Sequence, residues 1–141
     1  MSQVKTSLRE KALLLDTHAL IWCSVNPERL PESVLGRLRD AEQRIFVSSI
    51  SAWEISIKVR LGKLPQAKTL YENFHLRMAQ YGFSELPFTS VHALAEGELE
   101  YSHKDPFGRA LAAQAVSEQL VLVSKGDAFA DVPNLGLWWG H

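Results

Sequence analysis

Along the chain, short uniform apolar runs alternate with longer stretches in which apolar residues recur every three or four positions. Residues 12–15 and 120–123 are continuous apolar runs, the pattern of a strand buried on both faces of a parallel sheet, and residues 45–47 form another. Residues 135–139 supply a last strand, and residues 83–88 an extended segment that Pro87 places near a sheet edge. Helices are predicted between them. The first begins around Leu20, Ile21 and Trp22 and is stopped by Pro27; Pro31 opens the second, with Val34, Leu35 and Leu38 at helical spacing. Ser48 and Ser49 cap a third that runs to Gly62, and a fourth, amphipathic helix covers about residues 70–78. A short helix carries Val91, Leu94 and Ala95. Asp105-Pro106 then starts the last one, with aspartate as N-cap and proline at the first helical position. Strands alternating with helices at these intervals predict a three-layer α/β domain with a central, mainly parallel sheet.

At 141 residues the chain suits one hydrophobic core. Residues 1–11 are polar, carry Lys5, Arg9 and Lys11, and read as a flexible N-terminal arm ahead of a single domain over 12–141. With 46% hydrophobic and 22% charged residues, the composition excludes a disordered protein. A single cysteine, Cys23, excludes an internal disulfide or a structural zinc. No apolar run approaches the roughly 18 residues of a membrane span, and the first residues lack the apolar core of a secretory signal, so a cytoplasmic protein is expected. Fifteen basic and sixteen acidic residues leave a net charge of -1, so any polyanion must be met by a local patch. One such patch holds Lys58, Arg60, Lys63 and Lys68 with no acid between residues 55 and 71, while Glu96, Glu98 and Glu100 crowd another segment. Most of the four tryptophans are expected in the core.

Two acids stand out as candidate chemistry. Asp16 ends the first buried run, where open α/β sheets bind ligands, although a plain helix N-cap explains it equally well. Glu54 shares the spacing of Ile50, Ile57 and Leu61, so its carboxylate projects from an apolar stripe. A buried carboxylate needs a partner: an arginine, a cation, or a second acid bridged by metal. His18 follows Asp16 closely, but the other histidines show no ligand spacing. Two converging carboxylates suit Mg2+ or Mn2+, and hydrolysis of a phosphodiester is the natural chemistry of such a site, with the basic patch holding the polyanion. No glycine-rich nucleotide loop is present, which leaves a receiver-like or nucleotide-binding α/β domain weakly supported.

Four ordered blocks carry a family likeness. Leu14-Leu-Asp-Thr-His-Ala-Leu-Ile-Trp22; Val47-Ser-Ser-Ile-Ser-Ala-Trp-Glu-Ile55 with Lys58 and Gly62-Lys-Leu64; His103-Lys-Asp-Pro-Phe107 with Arg109 and Ala113-Gln-Ala115; and Leu122-Val-Ser124 together resemble PIN-domain toxins of the VapC type, over about residues 12 to 139. The resemblance implies a Mg2+-dependent endoribonuclease of a toxin-antitoxin pair, cleaving RNA, often tRNA, silenced by a VapB-like antitoxin and usually homodimeric. It maps the family's first two acids onto Asp16 and Glu54, as catalytic and metal-binding residues, and suggests Lys58, Arg60, Lys63 and Arg109 as RNA contacts. Two further acidic positions depart from the pattern. Gly108 stands where the third acid belongs, and the fourth falls at Gly126, with Asp127 one place late. Asp105 and Asp127 are the available substitutes, so Mg2+ or Mn2+ is expected to bind weakly or not at all and cleavage to be impaired. The alternative is a non-catalytic PIN-fold module that binds antitoxin or RNA without chemistry.

Overall fold

A computed structural model describes residues 11–100 and 105–140; most of the expected arm, together with His103 and His141, lies outside them. Five strands form one sheet: β1 (Leu13–Leu15), β2 (Ile45–Ser48), β3 (Ser84–Leu86), β4 (Val121–Val123) and β5 (Gly136–Trp138). Their order is β3-β2-β1-β4-β5, and every pairing is parallel. Seven α-helices accompany them among the described residues: α1 (Thr17–Val25), α2 (Glu32–Leu38), α3 (Ser49–Arg60), α4 (Lys68–Glu72), α5 (Phe74–Tyr81), α6 (Ser90–Glu98) and α7 (Pro106–Glu118).

Alternation along the strands explains the layers. Leu13, Leu15, Val121 and Val123 face one side, where they meet Leu20 and Ile21 of α1, Val34 of α2, Ile55 of α3 and Leu70 of α4. Leu14 and Leu122 face the other, against Ala110, Leu111, Ala112 and Ala115 of α7. Both faces are covered, which is why β1 and β4 are apolar at every position. The sheet grows from β1 through β2 to β3 on one side, then resumes with β4 and β5 on the other. Growth thus reverses between β1 and β4, and the crevice beyond the carboxyl ends of those two strands is where such sheets take ligands.

Three sequence expectations change. The helix expected over 70–78 is two, because the chain breaks at Asn73 (φ -125°, ψ 30°), whose side-chain amide donates to the carbonyl of Thr69. On α3 the inward residues are Ile50, Ser51, Glu54 and Ile55, while Leu61 is 56% exposed beyond the helix end. None of the tryptophans is fully buried: Trp22, Trp138 and Trp139 are half-buried and Trp53 is 57% exposed. No helix among the described residues is long and apolar enough to cross a membrane.

Candidate active site

Asp16 leaves β1 directly and begins α1. Its backbone N–H donates to the carbonyl of Val123 (3.1 Å), and its carboxylate accepts from the N–H of Ala19 (2.7 Å), so the same side chain caps α1 and stands at the sheet reversal. Next to it, the Thr17 and Ser51 hydroxyls lie 2.9 Å apart in a buried pair that stitches α1 to α3. That stitch fixes the two acids relative to each other, since Glu54 is one turn further along α3 from Ser51.

The acids meet in a cavity of about 510 Å³ whose wall includes Asp16, Glu54, Lys58, Asp105, Gly108, Ser124, Gly126 and Asp127. Glu54 is 4% exposed, and its Oε2 accepts from the Nζ of Lys58 at 2.5 Å, one helical turn away. The partner that a buried Glu54 requires is therefore an ammonium group from its own helix. Burial raises the pKa of Asp16 above the ordinary carboxylate value; the Ser124 hydroxyl, the Ala19 N–H and His18 oppose that rise, and the negative charge of Glu54 adds to it. Ser124 follows β4 and accepts from the N–H of Gly126 (3.0 Å) while bonding to Asp16, so it links the two ends of the crevice. A larger cavity, about 680 Å³, opens at the opposite end of the sheet around Lys11, Arg44 and Val121, away from these acids.

The remaining sequence candidates divide. Asp105 caps α7 by accepting from the N–H of Phe107 (3.2 Å), which puts Gly108 at the third helical position, on the cavity wall. Gly108 is buried with helical backbone, so its conformation does not demand glycine, and glycine in a helix costs about 0.5–1 kcal/mol relative to alanine. Gly126 is extended (φ -68°, ψ 121°), and a Cβ on it would sit 3.3 Å from the Ser124 hydroxyl. Asp127 is exposed at the rim, opening the 3-10 turn Asp127–Phe129. Of the basic candidates read from sequence Lys58 lines the cavity, joined there by Lys125, which the sequence reading did not single out; Arg60 and Lys63 are exposed at the end of α3 and beyond. Arg109 serves the scaffold instead of the crevice, because its guanidinium donates to the Glu96 carboxylate (2.6 Å) and to the carbonyls of Glu96 and Leu99. Glu96, one of the three glutamates that crowd residues 96–100, is a partner of Arg109.

Sequence reasoning quoted Ser124 in a family block without a role at the site, and missed the Thr17–Ser51 pair and His92. His92 is 2% exposed on α6, with Nε2 2.7 Å from Glu118 and Nδ1 accepting from the N–H of Thr89. Gln114 of α7 donates to the carbonyls of Leu86 and Pro87, which fixes the helix against the end of β3.

A family model described as the PIN domain matches residues 13–135. The chain belongs to the PIN-domain family. That membership carries nuclease chemistry in general, a hydrolysis for which PIN domains use divalent metal ions. No curated protein matches this PIN domain. Among solved structures, it is similar to VapBC2 from Rickettsia felis bound to a DNA fragment from their promoter, at 20% identity and TM-score 0.66, covering 90% of this chain and 97% of that one. DNA-bound VapBC from Salmonella typhimurium is 19% identical with TM-score 0.67, covering 91% and 97%. A toxin-antitoxin complex from Klebsiella pneumoniae is 19% identical with TM-score 0.57, covering 92% and 98%.

The donor set of this PIN domain does not suit a divalent ion. Among the described residues no three His, Cys, Asp or Glu side chains converge to hold one. Asp16 and Glu54 supply two carboxylates, and the Lys58 ammonium already neutralises one of them. Hard divalent ions bind through several oxygens, and an ammonium beside the donor lowers its value as a ligand.

Proposed function

We propose that this chain is a VapC-type toxin: the endoribonuclease scaffold of a toxin-antitoxin pair, recognised by a VapB-like antitoxin, with its Mg2+-dependent cleavage of RNA impaired. The observation that carries the reading is one crevice at the sheet reversal that gathers Asp16 and Glu54 from distant stretches of chain and puts Gly108 on its wall. Support for the toxin class comes from the family together with three neighbours whose structures are VapBC or toxin-antitoxin complexes. Asp16, Glu54, Asp105 and Asp127 are the acids of the site, and Asp16, Glu54 and the displaced Asp127 are the residues left to hold a weakly bound metal, since the positions of the other two acids are Gly108 and Gly126. RNA is the substrate class, tRNA included, and Lys58, with Arg60 and Lys63 on the adjoining surface, meets its backbone. Cytoplasmic residence and a homodimer or toxin-antitoxin hetero-oligomer complete the proposal.

The Lys58–Glu54 ion pair favours a second reading, a PIN module that binds RNA or antitoxin without cleaving. One assay separates them. Purified chain and the double variant Gly108→Asp, Gly126→Asp are incubated with total tRNA in Mg2+ and in Mn2+, and products are resolved on a denaturing gel. Cleavage gained by the variant and weak in the parent supports the impaired nuclease. A folded variant that stays silent supports the binding module.

A further inference from the structure

The crevice also carries an aromatic wall. Trp22 of α1 and Trp139, which follows β5, both line it, their rings in edge-to-face contact with centroids 5.9 Å apart. The guanidinium of Arg29 sits over the Trp22 ring, 4.3 Å from its centroid. The backbone after Trp139 is tied to α2, where Ser33 donates to the carbonyl of Gly140 at 2.8 Å. Gly140 itself has φ +93°, and a Cβ there would meet the Ser33 hydroxyl at 2.6 Å and Pro31 at 3.0 Å, so only glycine lets the chain end approach α2 this closely. The Trp139 indole itself packs against Trp22 and the apolar core, which reduces the entropic cost of using it as a contact surface.

We infer that the Trp22–Trp139 pair is a stacking subsite for one nucleobase of a single-stranded RNA, with Arg29 as the cation for a phosphate of the same strand. Bases stack on aromatic side chains irrespective of sequence, and single-strand sites combine such platforms with nearby cations. Here the Arg29 guanidinium covers one face of Trp22, so the ring left to take a base is that of Trp139, in edge contact with Trp22. Trp22 and Trp139 line the same cavity as Asp16, Glu54 and Lys58. The inference rests on RNA being the substrate class of the proposed function.

The test measures binding, not cleavage. A fluorescein-labelled, cleavage-resistant 2′-O-methyl RNA of about ten nucleotides is titrated with the full chain by anisotropy. Trp139→Leu is expected to weaken binding roughly five- to a hundredfold, Trp139→Phe to stay close to the parent, and both to melt near the parent temperature. Arg29→Gln is expected to flatten the dependence of log affinity on log salt by about 0.7. As a readout free of any folding defect, the unaltered chain is expected to lose affinity when an abasic site is placed at one position of the RNA and not at its neighbours. Parent-like affinity of Trp139→Leu, with abasic RNAs all bound equally, overturns the subsite and leaves the RNA reading intact. Absence of RNA binding by the parent overturns both. Undiminished RNA binding by Trp139→Leu, alongside weakened binding of a short arginine-containing peptide, reassigns the wall to a protein ligand and overturns the inference.

Discussion

Gly108→Asp tests the damaged crevice through stability, without requiring turnover. The substitution acts on the helix and on the charges, in opposite directions. At the third position of α7 an aspartate replaces a poor helix former and meets the helix N-terminus, together worth about 0.5–1.5 kcal/mol. It also adds a carboxylate to a wall that already holds Asp16 and Glu54. Unit charges about 6 Å apart at an effective dielectric near 20 repel by about 3 kcal/mol, and Lys58 offsets most of the share due to Glu54. Without metal the variant is therefore expected to be about 1.5–2.5 kcal/mol less stable than the parent, roughly 4–10 °C in Tm. A divalent ion reverses the sign, since a ligand present at a hundred times its Kd stabilises by about 2.7 kcal/mol. Circular-dichroism melts at pH 7.5 in EDTA and in Mn2+ read both effects, with Gly108→Asn as the neutral control. The parent and the asparagine variant are expected to respond little to Mn2+. A parent whose Tm rises with Mn2+ as much as the variant's would refute the argument that this crevice lacks donors. So would an aspartate variant that melts above the parent in EDTA and ignores Mn2+.

Three further expectations follow from the same geometry. Asp16→Asn keeps a side-chain oxygen to cap α1 and removes a carboxylate whose pKa burial has raised. An acid with a raised folded-state pKa costs stability as pH climbs from its unfolded value, about 3.9, through the folded one. The variant should therefore gain on the parent over that window in urea titrations and match it below pH 3.5; a variant less stable at neutral pH contradicts the raised pKa. Thr17→Val and Ser51→Ala each strand a buried hydroxyl or its partner and should cost about 1–3 kcal/mol alone, the double variant costing less than their sum; additivity within about 0.3 kcal/mol denies the pair. Burial pushes the Cys23 thiol up to about 11, so iodoacetamide at pH 8 should alkylate it at least about a hundredfold more slowly than free cysteine, and a free-thiol rate would show the site opens.

How much of this was legible in the sequence depends on how locally each feature is determined. Uniform apolar runs announced β1 and β4 because both faces of those strands are covered by helices, and Asp105-Pro106 announced α7 because capping acts within four residues. The break at Asn73 was hidden since Leu70, Phe74 and Met78 keep helical spacing straight across it. Glu54 was readable as a buried acid with a partner, yet periodicity could not choose Lys58 over an ion, because both satisfy the same charge. Arg109 was expected to contact RNA; an acid partner lies thirteen residues back on α6, a tertiary pairing that no local pattern encodes. Ser124 was in view as the end of a family block, but its role beside Asp16 follows from its place after the buried run of β4, where Asp16 follows β1.

The most direct test of the central claim is RNA cleavage by Gly108→Asp, Gly126→Asp in Mn2+, compared with the same chain carrying Asp16→Asn or Glu54→Gln. The account expects cleavage in the first and a loss of at least about a hundredfold in each of the other two, because both carboxylates belong to one site. Cleavage that survives the removal of either acid would contradict it.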